Sequence, residues 1–89
     1  MKVKTKYLKV GDVIADVPYG YKAEKHFNAT VKRIDIVYDP NTFDEVRLVI
    51  VKQFCIRDNG TVFHVERAIK EQDTEWELLF REDETEDVG

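Results

Sequence analysis

Eighty-nine residues, 43% of them apolar, suffice for one hydrophobic core and are too few for two. No apolar run approaches the roughly 18 residues of a membrane span, and one cysteine cannot form an internal disulfide. The net charge of −4 is unevenly spread: residues 1–33 carry eight Lys/Arg against three Asp/Glu, and residues 34–89 carry six against fifteen. If the fold keeps the halves apart, this predicts a basic and an acidic surface. The opening ten residues lack the apolar stretch of a secretory leader, so a cytoplasmic setting is expected.

Residues 2–7 alternate strictly, with Lys2, Lys4 and Lys6 on one side and Val3, Thr5 and Tyr7 on the other. That period of two predicts a half-buried strand. After a turn at Gly11-Asp12, residues 12–17 read as a second strand with Val13, Ala15 and Val17 on one face, broken by Pro18 and Gly20. Residues 19–28 read as a ten-residue loop. A third strand covers residues 29–38, where Val31 is out of phase with Ile34, Ile36 and Tyr38; a bulge near Lys32-Arg33 reconciles them. Asp39, Pro40, Asn41 and Thr42 are turn formers.

Residues 46–57 give the clearest strand, with Val46, Leu48, Ile50, Phe54 and Ile56 on one face, taken as the core face, and Lys52 as the exception. Asn59-Gly60 signals a hairpin, and residues 61–69 return with Phe63, Val65 and Ile69 on one face. Trp76, Leu78 and Phe80 alternate with Glu75 and Glu77, which predicts a last strand. A helix within 65–82 is the alternative, from the spacing of Val65, Ile69, Trp76 and Leu79 and a capping-box pattern at Thr74 and Glu77. Residues 1–80 therefore form one β-rich domain, and 81–89 an acidic tail expected to be disordered. Five or six short strands at this spacing predict an all-β barrel or roll, SH3-like in the order of its elements.

A two-residue turn at Asn59-Gly60 sets Ile56 opposite Phe63, Cys55 opposite His64, and Lys52 opposite Arg67. A cysteine beside a histidine raises the question of a nucleophile and its base. No nucleophile elbow, oxyanion donor or enclosing pocket is signalled around Cys55, so no catalytic role is expected. One cysteine and two histidines are too few for a structural zinc site, and no cofactor motif is present. Lys52 facing Arg67 is unfavourable. Either the sheet curls and both heads reach solvent, or a three-residue turn moves Lys52 to Glu66, or the pair holds an anion.

Two segments suggest binding. Tyr19, Tyr21, His26 and Phe27 lie among Lys22 and Lys25, a mixture suited to a protein interface or to stacking on unpaired bases; the bland reading is that some of these rings cover an open end of the fold. Glu75, Glu77, Glu82, Asp83 and Glu84 offer carboxylates to a basic partner, or form a solvated face. The expectation is a non-enzymatic module that binds another protein, an accessory or inhibitory factor of the kind found in phages. A single-stranded nucleic-acid binder using the basic first third is the alternative.

Overall fold

In a computed structural model, which describes residues 1–19 and 25–82, the chain is all-β. Six strands form one antiparallel sheet: β1 Lys2–Lys4, β2 Val13–Tyr19, β3 Lys25–Tyr38, β4 Glu45–Ile56, β5 Val62–Ile69 and β6 Glu75–Phe80. Their order is β1-β6-β2-β3-β4-β5, and the sheet is not closed into a barrel. It curls nonetheless. Arg67 on β5 donates to the Pro18 carbonyl of β2, and the Tyr19 and Phe63 rings meet edge-on at 5.8 Å, although β3 and β4 lie between those strands.

The inner face buries Val3, Leu8, Ile14, Val17, Ala29, Val31, Val49, Val51 and Ile69, with Ile34, Trp76 and Leu78 packed against them. Each fully buried branched side chain contributes about 1.5–3 kcal/mol. The bulge expected near Lys32-Arg33 is present: the β3–β4 register shifts between Val31 and Arg33, so Val31, Ile34, Ile36 and Tyr38 share a side. The last element is a strand, not a helix. Trp76 and Leu78 face the core while β6 pairs with β1 and β2.

Three local expectations are corrected. The first strand stops at Lys4, because residues Thr5–Tyr7 turn as a 3-10 helix. Thr5 is buried there; its hydroxyl donates to the Thr74 carbonyl (3.2 Å) and accepts from Trp76 Nε1 (2.8 Å). On β2 the inward residues are Ile14 and Val17 rather than Val13, Ala15 and Val17, since a bulge with Asp16 at φ +58° switches the phase. Pro18 does not break β2, which runs on to Tyr19, so strand residues occupy both ends of the expected ten-residue loop.

The largest correction concerns β4 and β5. Val49, Val51, Gln53 and Cys55 face inward, whereas Phe54 and Ile56 face out. The turn explains it. Arg57 N–H donates to the Thr61 carbonyl, Gly60 N–H donates to the Arg57 carbonyl, and Gly60 has φ +88°. Asn59 is not in the left-handed region; its side chain accepts from Thr61 N (3.0 Å) and Thr61 Oγ1 (2.7 Å). This is a three-residue turn ending in a glycine bulge, not the two-residue turn, which needs positive φ at both central positions. Ile56 therefore pairs with Val62, Cys55 with Phe63, Phe54 with His64, and Lys52 with Glu66. The shift removes the Lys52–Arg67 repulsion.

Polar side chains tie the curled sheet across its inner side. Gln53, fully buried, donates from Nε2 to the carbonyls of Val17 (2.9 Å) and Phe27 (3.4 Å); its Oε1 has no donor among the described residues. Arg47 donates to the carbonyls of Thr5 (3.0 Å) and Leu8 (2.7 Å), satisfying the turn after β1. Arg81, expected in the disordered tail, makes two bonds to the buried carboxylate of Asp12, Nε to Oδ1 at 2.9 Å and Nη2 to Oδ2 at 2.7 Å. Asp12 also accepts from Lys9 N (2.9 Å).

Removing one member of a buried ion pair leaves the other charge uncompensated. Arg81→Ala is therefore expected to lower the unfolding free energy by about 2–4 kcal/mol in urea denaturation. Gly60→Ala tests the turn: an added Cβ meets nothing within 4 Å, so its cost is the left-handed backbone alone. A loss of about 1–2 kcal/mol is expected; no loss would show that position 60 does not require glycine.

Candidate functional site

The suspected Cys55–His64 pair does not form. Successive residues of a strand point to opposite faces, and the observed register places Cys55 inside and His64 outside. Cys55 is fully buried opposite Phe63, and burial pushes its thiol above the ordinary cysteine range. His64 lies exposed, its ring 5.6 Å from that of Phe54. A buried thiol held protonated is a poor nucleophile.

Lys52 and Arg67 are likewise on opposite faces and do not form a joint anion site. Lys52 faces Glu66 on the outer side, its ammonium 5.6 Å from the Phe54 ring centre. Arg67 lies opposite Val51 and spans to Pro18 across a cleft of 210 Å³ between β5 and the β2–β6 side, lined also by Val17, Ile69 and Trp76. No cluster of three or more His, Cys, Asp or Glu able to hold a metal occurs among the described residues.

In the aromatic segment, Tyr19 contacts Phe27 (6.0 Å, edge-on) as well as Phe63, and the Arg57 guanidinium lies 4.2 Å from the centre of the Phe63 ring. Tyr19 and Phe27 are thus half-buried at one end of the curl. Lys25 pairs with Asp58 at 3.0 Å, and His26 Nδ1 lies 3.1 Å from the Asp16 carbonyl oxygen. Tyr21 and Lys22 lie outside the described residues.

The acidic segment meets the basic one. Because β1 pairs with β6, Glu77 stands opposite Lys2 and Glu75 opposite Lys4. Asp73 lies 3.2 Å from Lys6 and 4.0 Å from Lys4. The Met1 ammonium pairs with Glu77, and that hydrogen bond, then its charge, holds the carboxyl below its ordinary range. A Cβ added to Gly11 would meet Glu82 Oε2 at 3.8 Å. Asp83 and Glu84 lie outside the described residues. Along the β1–β6 edge, lysines of the basic third therefore stand beside carboxylates of the acidic region.

The structure turns outward two residues, Phe54 and Ile56, that alternation assigned to the core. On the outer side of the β4–β5 hairpin, Phe54 (58% exposed), Ile56 (54%) and Val62 (61%) lie together, Ile56 directly opposite Val62. Only the turn chemistry at Gly60 carried this signal in the sequence. No known protein family, curated protein or solved structure matches this chain.

The burial of Cys55 has a direct readout. Its reaction with an aromatic disulfide reagent at neutral pH is expected to be at least about 100-fold slower in the native protein than in urea, because both access and thiolate fraction are reduced. Rapid native labelling would show that Cys55 is available for chemistry.

Proposed function

We propose that this protein is a non-enzymatic protein-binding module whose docking surface is the outer face of the β4–β5 hairpin. The observation that carries this reading is the exposed trio Phe54, Ile56 and Val62, three large apolar side chains side by side on a rigid ladder. Such a cluster, bordered by Lys52, His64 and Glu66 on the same face, has the composition of an interface centre with a polar rim. Tyr19 and Phe27 support the reading less, since the Tyr19 ring already packs on both Phe27 and Phe63. Tyr21, Lys22, Asp83 and Glu84 remain part of the proposal as secondary contacts. An accessory or inhibitory role of the phage type fits a small module that acts by docking. The SH3-like barrel or roll stays a proposal about shape alone: β5 approaches β2 through Arg67 and Phe63 without pairing to it.

The alternative, binding of single-stranded nucleic acid by the basic first third, has weaker support. Lys2, Lys4 and Lys6 face carboxylates of β6 and of Asp73, which lowers the local positive potential.

Affinity capture from cell extract with three baits tests the reading: the unaltered chain, Phe54→Lys and Tyr21→Ala. A specific protein partner is expected to be retained by the unaltered chain, lost with Phe54→Lys, and weakened about tenfold or less with Tyr21→Ala. Retention by Phe54→Lys with loss by Tyr21→Ala would move the interface to the loop at one end of the curl. Capture of nucleic acid that falls steeply with salt would favour the alternative.

A further inference from the structure

The distal half of the β3–β4 hairpin projects as an arm. The last β2–β3 pair in this direction is Val13 with Thr30, and Val31 is bonded to Gly11 and Asp12. β5 ends with Ile69 opposite Val49. The ladder from Asp35–Leu48 to Tyr38–Glu45 therefore continues as two strands alone. On its outer face, Val37 lies directly opposite Val46, and with Leu48, Pro40 and Lys70 they line an open hollow of 300 Å³.

The tip is pinned by its own hydrogen bonds. Asp39 N donates to the Asp44 carbonyl (2.9 Å), Phe43 N to the Asp39 carbonyl (2.8 Å), and Asn41 N to Asp39 Oδ1 (2.8 Å). This holds Phe43 at φ +62°, a conformation that a bulky side chain rarely adopts. Phe43 is also 82% exposed, so packing within its own chain does not compensate the strain. A rigid, strained, exposed phenyl ring is an anchor prepared for a pocket.

We propose that the pocket belongs to a second copy of this chain: two arms lie antiparallel, outer face to outer face, and Phe43 of each copy enters the hollow of the other. Charge selects this occupant and this direction. The tip carries Asp39, Asp44 and Glu45, and the base of the hollow carries Lys70; none of the four has an ion-pair partner among the described residues. Antiparallel arms bring each acidic tip to the other copy's Lys70, whereas parallel arms set acid against acid. The same contact occurs twice about one two-fold axis, as a closed dimer requires.

This surface is separate from the Phe54, Ile56 and Val62 cluster. Between them Arg33 on β3 reaches Glu66 on β5 (3.8 Å) over the buried Ile50, with which Arg33 pairs. The dimer therefore leaves the proposed protein-docking face open.

Sedimentation equilibrium on the full chain tests it, across about 1–500 µM, a range in which a modest interface is populated. The unaltered chain is expected to show a monomer–dimer equilibrium. Phe43→Ala is expected to raise the dissociation constant about 100-fold, about tenfold for each of two anchors. Phe43→Gly is expected to lose the dimer equally while raising the melting temperature of the monomer, a result that a merely structural role for Phe43 would not give. Lys70→Glu is expected to weaken the dimer, and adding Asp44→Lys to restore it. A chain monomeric throughout the range overturns the proposal. So does a dimer that survives Phe43→Ala, or one that dissolves with Phe54→Lys instead; the latter would place self-association on the other face.

Discussion

The turn at residues 58–60 sets the register between β4 and β5, and with it which of their side chains share the core face. A single left-handed residue, Gly60, closes a three-residue loop, and the registers of β4 and β5 follow from it. A two-residue loop would slide β5 by one position, and a slip of one exchanges every side chain between faces. With the observed turn, Val49, Val51, Gln53 and Cys55 enter the interior and Phe54 and Ile56 leave it. The burial of the only thiol, the opening of the apolar cluster and the pairing of Lys52 with Glu66 are consequences of that one backbone choice.

The second constraint is electrostatic. Among the described residues, charges near both ends of the sheet find opposite partners. β1 carries its lysines to the carboxylates of β6, and Arg81 returns to the buried Asp12 beside the turn that precedes β2. Exposed pairs such as Lys6 with Asp73 add little stability individually. Their effect is on the surface potential, because they place carboxylates beside Lys2, Lys4 and Lys6 and lower the positive field there. Asp12 differs: fully desolvated, it depends on the guanidinium and on the Lys9 amide for its charge.

A small sheet with a single 3-10 turn as its only helix among the described residues cannot cover both of its faces. The inner face is closed by curling, held by Gln53, Arg47 and the Tyr19–Phe63 contact. Arg33 and Glu66 cross the outer face over Ile50, between the hairpin cluster and the arm. Each part holds large apolar groups on a hydrogen-bonded ladder, and each fits a different proposed occupant.

Much of the secondary structure was legible in the sequence, because alternation and turn residues act locally. Residues 29–38 showed their bulge through the phase change between Val31 and Ile34, and Trp76, Leu78 and Phe80 showed a strand. What alternation could not decide was the face of β4, since both of its sides are apolar: Val49, Val51 and Cys55 on one, Leu48, Ile50, Phe54 and Ile56 on the other. The candidate pairs built on that choice, Cys55 with His64 and Lys52 with Arg67, went with it. Charge asymmetry was plain in the chain, but the meeting of Lys2 and Lys4 with Glu77 and Glu75 needed the pairing of β1 with β6, a contact over more than seventy residues. Local periodicity sets where strands lie. Which faces become the interior, and which charges meet, depend on turn geometry and on long-range pairing that only the assembled sheet supplies.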